Sequence, residues 1–149
     1  MKMKGRVSLY YSARVLLDLP IDRIETSFGE FGKPKLNGIS VSISHSETTD
    51  KTQFCVCSAY KGDGVEVGID AALLDKPIGI SNLSKTELLR RLKSNKSLGT
   101  VGEWRQIEEF ENENDQLNCF YRLWSIKESI LKATGKGASG LIPSKIDIR

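Results

Sequence analysis

Asp70, Glu128, Lys132, Lys33 and His45 are the side chains whose types and placing suit work on a phosphate ester. Glu128 falls on a stripe of Leu117, Phe120, Trp124 and Leu131 at helical spacing, where another apolar residue is expected. A carboxylate buried there is costly unless it is paired or bound to metal. Lys132, one turn on, could pair with it, and an ordinary surface Glu–Lys pair accounts for Glu128 taken alone. Asp70 ends the run Val65-Glu-Val-Gly-Ile69. Gly68 precedes it on the same face and leaves room for a ligand or another backbone. A turn-initiating aspartate is the plain alternative. In Gly32-Lys33-Pro34 a lysine can be held out toward an anion, and Ser44-His45-Ser46 offers donors for phosphate oxygens. A solvated loop and a strand-end turn explain the same residues without function. Two carboxylates from separate elements suit magnesium, which takes one or two carboxylates besides substrate phosphates and water.

Several elements must position these residues. A helix is expected over about Leu9 to Leu19, stopped by Pro20. Phe28 to Gly38, rich in glycine and holding Pro34, reads as a loop. In Ile39-Ser-Val-Ser-Ile-Ser44 apolar residues alternate with serine, the period of a half-buried strand. A second strand is expected near Gln53 to Tyr60. Lys61-Gly-Asp-Gly64 is turn chemistry, so Val65 to Asp70 is expected to return as a third strand in a hairpin. Pro77 and Gly79 mark a loop. Ser84-Lys-Thr-Glu87 is a capping box that starts a helix with Leu88, Leu89 and Leu92 inward and Arg90, Arg91 and Lys93 outward. Trp104, Ile107 and Phe110 suggest a short helix, and Asn112 to Asp115 a loop. The last helix is expected over Gln116 to Thr134, ending at Gly135, with a short strand near Lys145 to Ile148. Strands and helices mix without strict βαβ alternation, which predicts an α+β fold with antiparallel strands.

Composition narrows the class. The 149 residues are 39% hydrophobic and 28% charged, with a net charge of +3. That suffices for a core, and the charge is too low and scattered to mark a nucleic-acid binder. No run is long enough to span a bilayer. Met1 to Pro20 looks like a secretory leader, but Arg14 and Asp18 interrupt it and no cleavage site follows, so mature cytoplasmic protein is expected. Cys55, Cys57 and Cys119 form no CxxC pair, and His45 is the sole histidine, which disfavours zinc.

Taken in order, Gly32-Lys-Pro34, Ile43-Ser-His-Ser46, Val67-Gly-Ile-Asp70, Ser84-Lys-Thr-Glu87 and Trp124-Ser-Ile-Lys-Glu-Ser-Ile-Leu-Lys132 with Gly135-Lys-Gly137 resemble the 4′-phosphopantetheinyl transferase family. The order is similar to that of the larger, pseudodimeric, surfactin-synthetase-activating class. The resemblance implies a single transferase-like domain over 1–149, with about 1–62 ending a first half and about 63–149 forming most of a second. It implies a chain shortened at both ends, whose strand edges a second copy could cover in a homo-oligomer. It implies transfer of 4′-phosphopantetheine from coenzyme A to a serine of an acyl or peptidyl carrier protein, with release of 3′,5′-ADP. Asp70 and Glu128 then resemble magnesium ligands, and Glu128 also a base for the acceptor serine. Lys132 resembles a charge-stabilising catalytic residue. Lys33, Pro34, His45, Ser46 and Lys127 resemble coenzyme A contacts. Arg90, Arg91 and Lys93, with Leu73 and Leu74, could attract an acidic carrier. The family's larger members have a second acid where this chain has Ala72. That departure makes a relative that binds coenzyme A or a carrier without turnover the second expectation.

Overall fold

A computed structural model describes residues 3–29, 32–47, 52–72, 83–136 and 142–148. Leu73, Leu74, Pro77, Gly79 and Gly137 lie outside the described residues. The chain is α+β, as expected. Helix α1 (Met3–Leu17) is followed by a single 3-10 turn and strands β1 (Thr26–Phe28), β2 (Pro34–Leu36), β3 (Ile39–Glu47) and β4 (Gln53–Lys61). The four strands form one antiparallel sheet in sequence order. Helices α2 (Lys85–Ser94), α3 (Val101–Glu108) and α4 (Glu113–Thr134) complete the fold.

Two cores result. Ile39 and Val41 of β3 and Leu36 of β2 close over Leu9 and Ala13 of α1 and over Ile24. Residues two apart on a strand share a face, so Ile39, Val41, Ile43 and His45 face α1 while Ser40, Ser42, Ser44 and Ser46 face away. The second core is helical: Leu88 and Leu92 meet Ile107 and Leu117, Phe120, Tyr121 and Leu123. Trp104, Phe120 and Trp124 stack in succession, with centroids 5.6 and 6.2 Å apart.

Local chemistry explains most boundaries. Asp18, in the left-handed region at φ 54, follows the last turn of α1. Ser84 caps α2 by accepting from the Glu87 N–H at 3.2 Å. The expected return bond from Glu87 is replaced. Its carboxylate is held by Arg90 and Arg91, and these guanidinium groups pull it down to about 2. The complete capping box is Thr100 with Glu103 at the start of α3. Asn112 accepts from the Asp115 N–H at 2.9 Å, so α4 begins at Glu113 and includes residues expected as a loop. Gly135, at φ 68, ends α4 as expected.

Three expectations are corrected. Phe28 to Gly38 is not all loop, because Thr26–Phe28 pairs with Pro34–Leu36. Residues 145–148 form no strand; Pro143 to Lys145 is a 3-10 turn. Residues 65–70 are not a third strand either. Their amide groups bond to serine side chains of β3 instead of to a neighbouring backbone.

Candidate active site

The segment 65–72 lies between the two cores and carries Asp70. Its alternate N–H groups, at Val67, Ile69 and Ala71, donate to the hydroxyls of Ser40, Ser42 and Ser44 at 2.9, 3.1 and 3.3 Å. Ser42 and Ser44 are buried, so the serine face of β3 is a docking surface. On the other side Gly68 is pressed against α4. A Cβ there would stand 1.8 Å from the Ser129 carbonyl oxygen and 2.7 Å from the Ala133 nitrogen. The room that Gly68 provides is therefore taken by a helix backbone. Ala72 then joins the packing around the helical core.

This docking brings Asp70 against the partly covered face of α4 that carries Lys132. Lys132 Nζ donates to Asp70 Oδ1 at 2.6 Å, and Ser44 Oγ donates to the same oxygen at 2.9 Å. Lys132 thus pairs with Asp70 and not with Glu128, its neighbour one turn away. Glu128 is half-buried close by. Burial raises its carboxyl above the usual range, the Asp70 charge raises it further, and the Lys132 charge works against both. The two acids expected to converge from distant parts of the chain therefore share one electrostatic neighbourhood.

The loop Gly32-Lys33-Pro34 reaches the same area. A cleft of about 150 Å³ is lined by Gly32, Lys33, Pro34, Ser42 and Lys132. Lys33 is committed inside it: Nζ donates to Glu66 Oε2 at 2.5 Å, to the Ala133 carbonyl at 2.7 Å and to the Val67 carbonyl at 3.2 Å. It sits at the C-terminus of α4, where a cation is favoured, and ties that helix end to the Asp70 segment. Its ammonium and the Ser40 hydroxyl lower the Glu66 carboxyl.

Other residues expected at the site stand apart. Lys127 turns into the helical core, where Nζ meets Glu103 Oε2 at 2.5 Å and the Pro143 carbonyl at 3.0 Å. Glu103 also accepts from the Thr100 and Ile148 N–H groups. Lys127 and Glu128 are consecutive on a helix and so point about 100° apart. His45 is exposed on the α1 face of β3, opposite to Ser44, and Ser46 shares the serine face. Arg90 and Arg91 hold Glu87, and Lys93 pairs with Glu108. Ser42, Ser40 and Glu66 were not among the expected site residues, although the serine alternation in β3 was visible, and Ser44, expected to face a phosphate, donates to Asp70.

Among the described residues no group of three or more His, Cys, Asp or Glu side chains gathers to hold a metal. Asp70 and Glu128 still fit a hard divalent cation. Two neighbouring carboxylates, one with a raised affinity for protons, gain from a shared positive charge, and magnesium needs few protein ligands when phosphates and waters supply the rest.

Comparison with known proteins agrees with the motif order. The family model described as the 4′-phosphopantetheinyl transferase superfamily matches residues 66–148, more than half of the chain. The L-aminoadipate-semialdehyde dehydrogenase-phosphopantetheinyl transferase of Xenopus laevis is 30% identical over 91% of this chain and 43% of its own length. The human protein of that name is 29% identical over 91% of this chain and 42% of its own. The 4′-phosphopantetheinyl transferase gsp of Aneurinibacillus migulanus is 28% identical over 82% and 43%. The chain thus spans less than half the length of these relatives.

Proposed function

The chain belongs to the 4′-phosphopantetheinyl transferase superfamily, and from that premise we propose that it transfers 4′-phosphopantetheine from coenzyme A to a serine of a carrier protein. The observation that supports this most is the meeting of Asp70, Glu128 and Lys132 at one edge of α4. Magnesium, when held by Asp70 and Glu128, would neutralise the pyrophosphate and polarise the phosphorus under attack.

The side chains supply the rest. The acceptor serine oxygen attacks the β-phosphorus of coenzyme A, the bond from that phosphorus to the bridging oxygen breaks, and 3′,5′-ADP leaves with the electron pair. The serine proton passes to Glu128, directly or through water. Lys132, already aimed at the site by Asp70, steadies the developing negative charge. Lys33 and Lys127 are each spent on protein acceptors and His45 faces the other side of β3, so the reading rests the phosphates on Lys132, with Ser46 and the Pro34 loop as further contacts. Coenzyme A and carrier proteins make the cytoplasm the fitting location.

The second reading, binding without turnover, is favoured by Ala72, which packs against the helical core at the place where the family resemblance implies an acid. One assay separates the two. Apo carrier proteins from fatty-acid, polyketide and peptide synthesis are incubated with the protein, coenzyme A and magnesium, then weighed. A pantetheine-sized gain that vanishes with Glu128→Ala is expected, and no gain on any carrier would leave the binding reading.

A further inference from the structure

We propose that Ser44 is a positioning residue for Asp70: its hydroxyl fixes Oδ1 of the carboxylate and leaves Oδ2 turned to the cation. The proposal rests on the reading of Asp70 as a metal ligand. Its grounds are Ser40, Ser42 and Ser44, three of the four serines of β3. Each accepts one N–H from the segment 65–72, and in that role Ser40, Ser42 and Ser44 are equivalent. They differ in what they donate to. Ser40 gives its hydroxyl proton to Glu66 Oε2 at 2.8 Å, and Ser44 gives its own to Asp70 Oδ1 at 2.9 Å. Ser42 touches no carboxylate among the described residues.

A hydroxyl that accepts from a backbone N–H has one proton left to aim, and at Ser44 that proton is aimed at Asp70. Burial of Ser44 keeps water from substituting for it. Lys132 donates to the same Oδ1, so that oxygen carries two donors, whereas the described residues donate nothing to Oδ2. A carboxylate held in this manner presents one oxygen at a fixed angle. Outer partners of this kind orient the ligands of metal sites. Ser44 thus serves the cation through Asp70 instead of serving a phosphate directly.

Ser42 provides a matched control, because Ser42→Ala and Ser44→Ala each remove one hydroxyl acceptor for the segment. Manganese, as a spectroscopic stand-in, is titrated against the wild type and both variants by electron paramagnetic resonance with coenzyme A present. Thermal melts are recorded, and coenzyme A binding is measured by calorimetry without metal. Both variants are expected to melt lower by similar amounts. Only Ser44→Ala is expected to weaken manganese binding, by about 10–100-fold, and Ser44→Thr to recover most of it. Coenzyme A affinity without metal should not change. Wild-type manganese affinity in Ser44→Ala would overturn the proposal, as would equal weakening in Ser42→Ala. A loss of metal-free coenzyme A binding in Ser44→Ala would assign the hydroxyl to a phosphate instead. A wild type that takes up no manganese sinks the metal reading itself, and that failure shows before any variant is made.

Discussion

Lys127 and Lys132 lie five residues apart on α4, and each is bonded to an acid from a distant element. The pairs are otherwise opposite. Lys127 and Glu103 are 1% and 2% exposed, with Glu103 also bonded to two backbone N–H groups. Lys132 and Asp70 are 31% and 13% exposed, and the described residues leave one Asp70 oxygen without a donor. The first pair is closed: it joins α3, α4 and the C-terminal residues 143–148. The second is open on one side and stands beside a carboxylate whose proton affinity is raised. An ion pair with all its valences met holds structure, and one with an oxygen to spare beside a second acid is the pair to which we assign the chemistry.

The largest effect that would sharpen this contrast is at the closed pair. Lys127→Met leaves Glu103 buried and without its cation, and should lower unfolding free energy by about 3–5 kcal/mol in urea titrations. A loss confined to activity with normal stability would break the contrast. Next comes Gly68→Ala, which drives a methyl into the α4 backbone. Overpacking of this kind costs about 1–3 kcal/mol, and manganese binding should fall with it, since the segment that moves carries Asp70.

Lys132→Met tests the open pair. The pair is partly exposed, so its stability loss should stay within about 1 kcal/mol. Transfer, followed by carrier mass, should fall about 10²–10³-fold, the cost of losing one charge-stabilising donor. The smallest effect is at Glu66. Its carboxyl is lowered by Lys33 and Ser40, so its contribution is present above the ordinary carboxylate range and disappears as pH falls through the lowered value. Glu66 is more than half exposed, so Glu66→Gln should cost at most about 1 kcal/mol at neutral pH. Melts at acid pH should show wild type and variant converging.

Much of this was legible from residue spacing. The alternation in Ile39 to Ser44 yielded β3, and Gly135 marked the end of α4. The meeting of Asp70 with Glu128 was also expected. Other features depended on contacts that spacing does not carry. Val65, Val67 and Ile69 have a strand's period, but the segment takes its acceptors from serine side chains, which a pattern of apolar residues does not record. Thr100-x-x-Glu103 has the same capping pattern as Ser84-x-x-Glu87. Which of the two closes fully depends on whether arginines compete for the glutamate, as Arg90 and Arg91 do. Lys127 was expected at the site from the family motif that it shares with Glu128, yet consecutive helical residues diverge, and the acid awaiting Lys127 stands 24 positions earlier.

Suspending the Asp70 segment from hydroxyls has a consequence for how the molecule breathes. β3 keeps its own ladder with β2 and β4 whether or not the segment is in place. Detachment would cost the three bonds to serine hydroxyls, the bonds of Lys132 and Ser44 to Asp70 and of Ser40 to Glu66, the Lys33 tether and the packing of Gly68 on α4, while the sheet stays whole. Local opening of that sort draws on much less free energy than global unfolding. Losing the aspartate's strip would therefore leave the frame standing, and a ligand that grips the strip would hold it against opening.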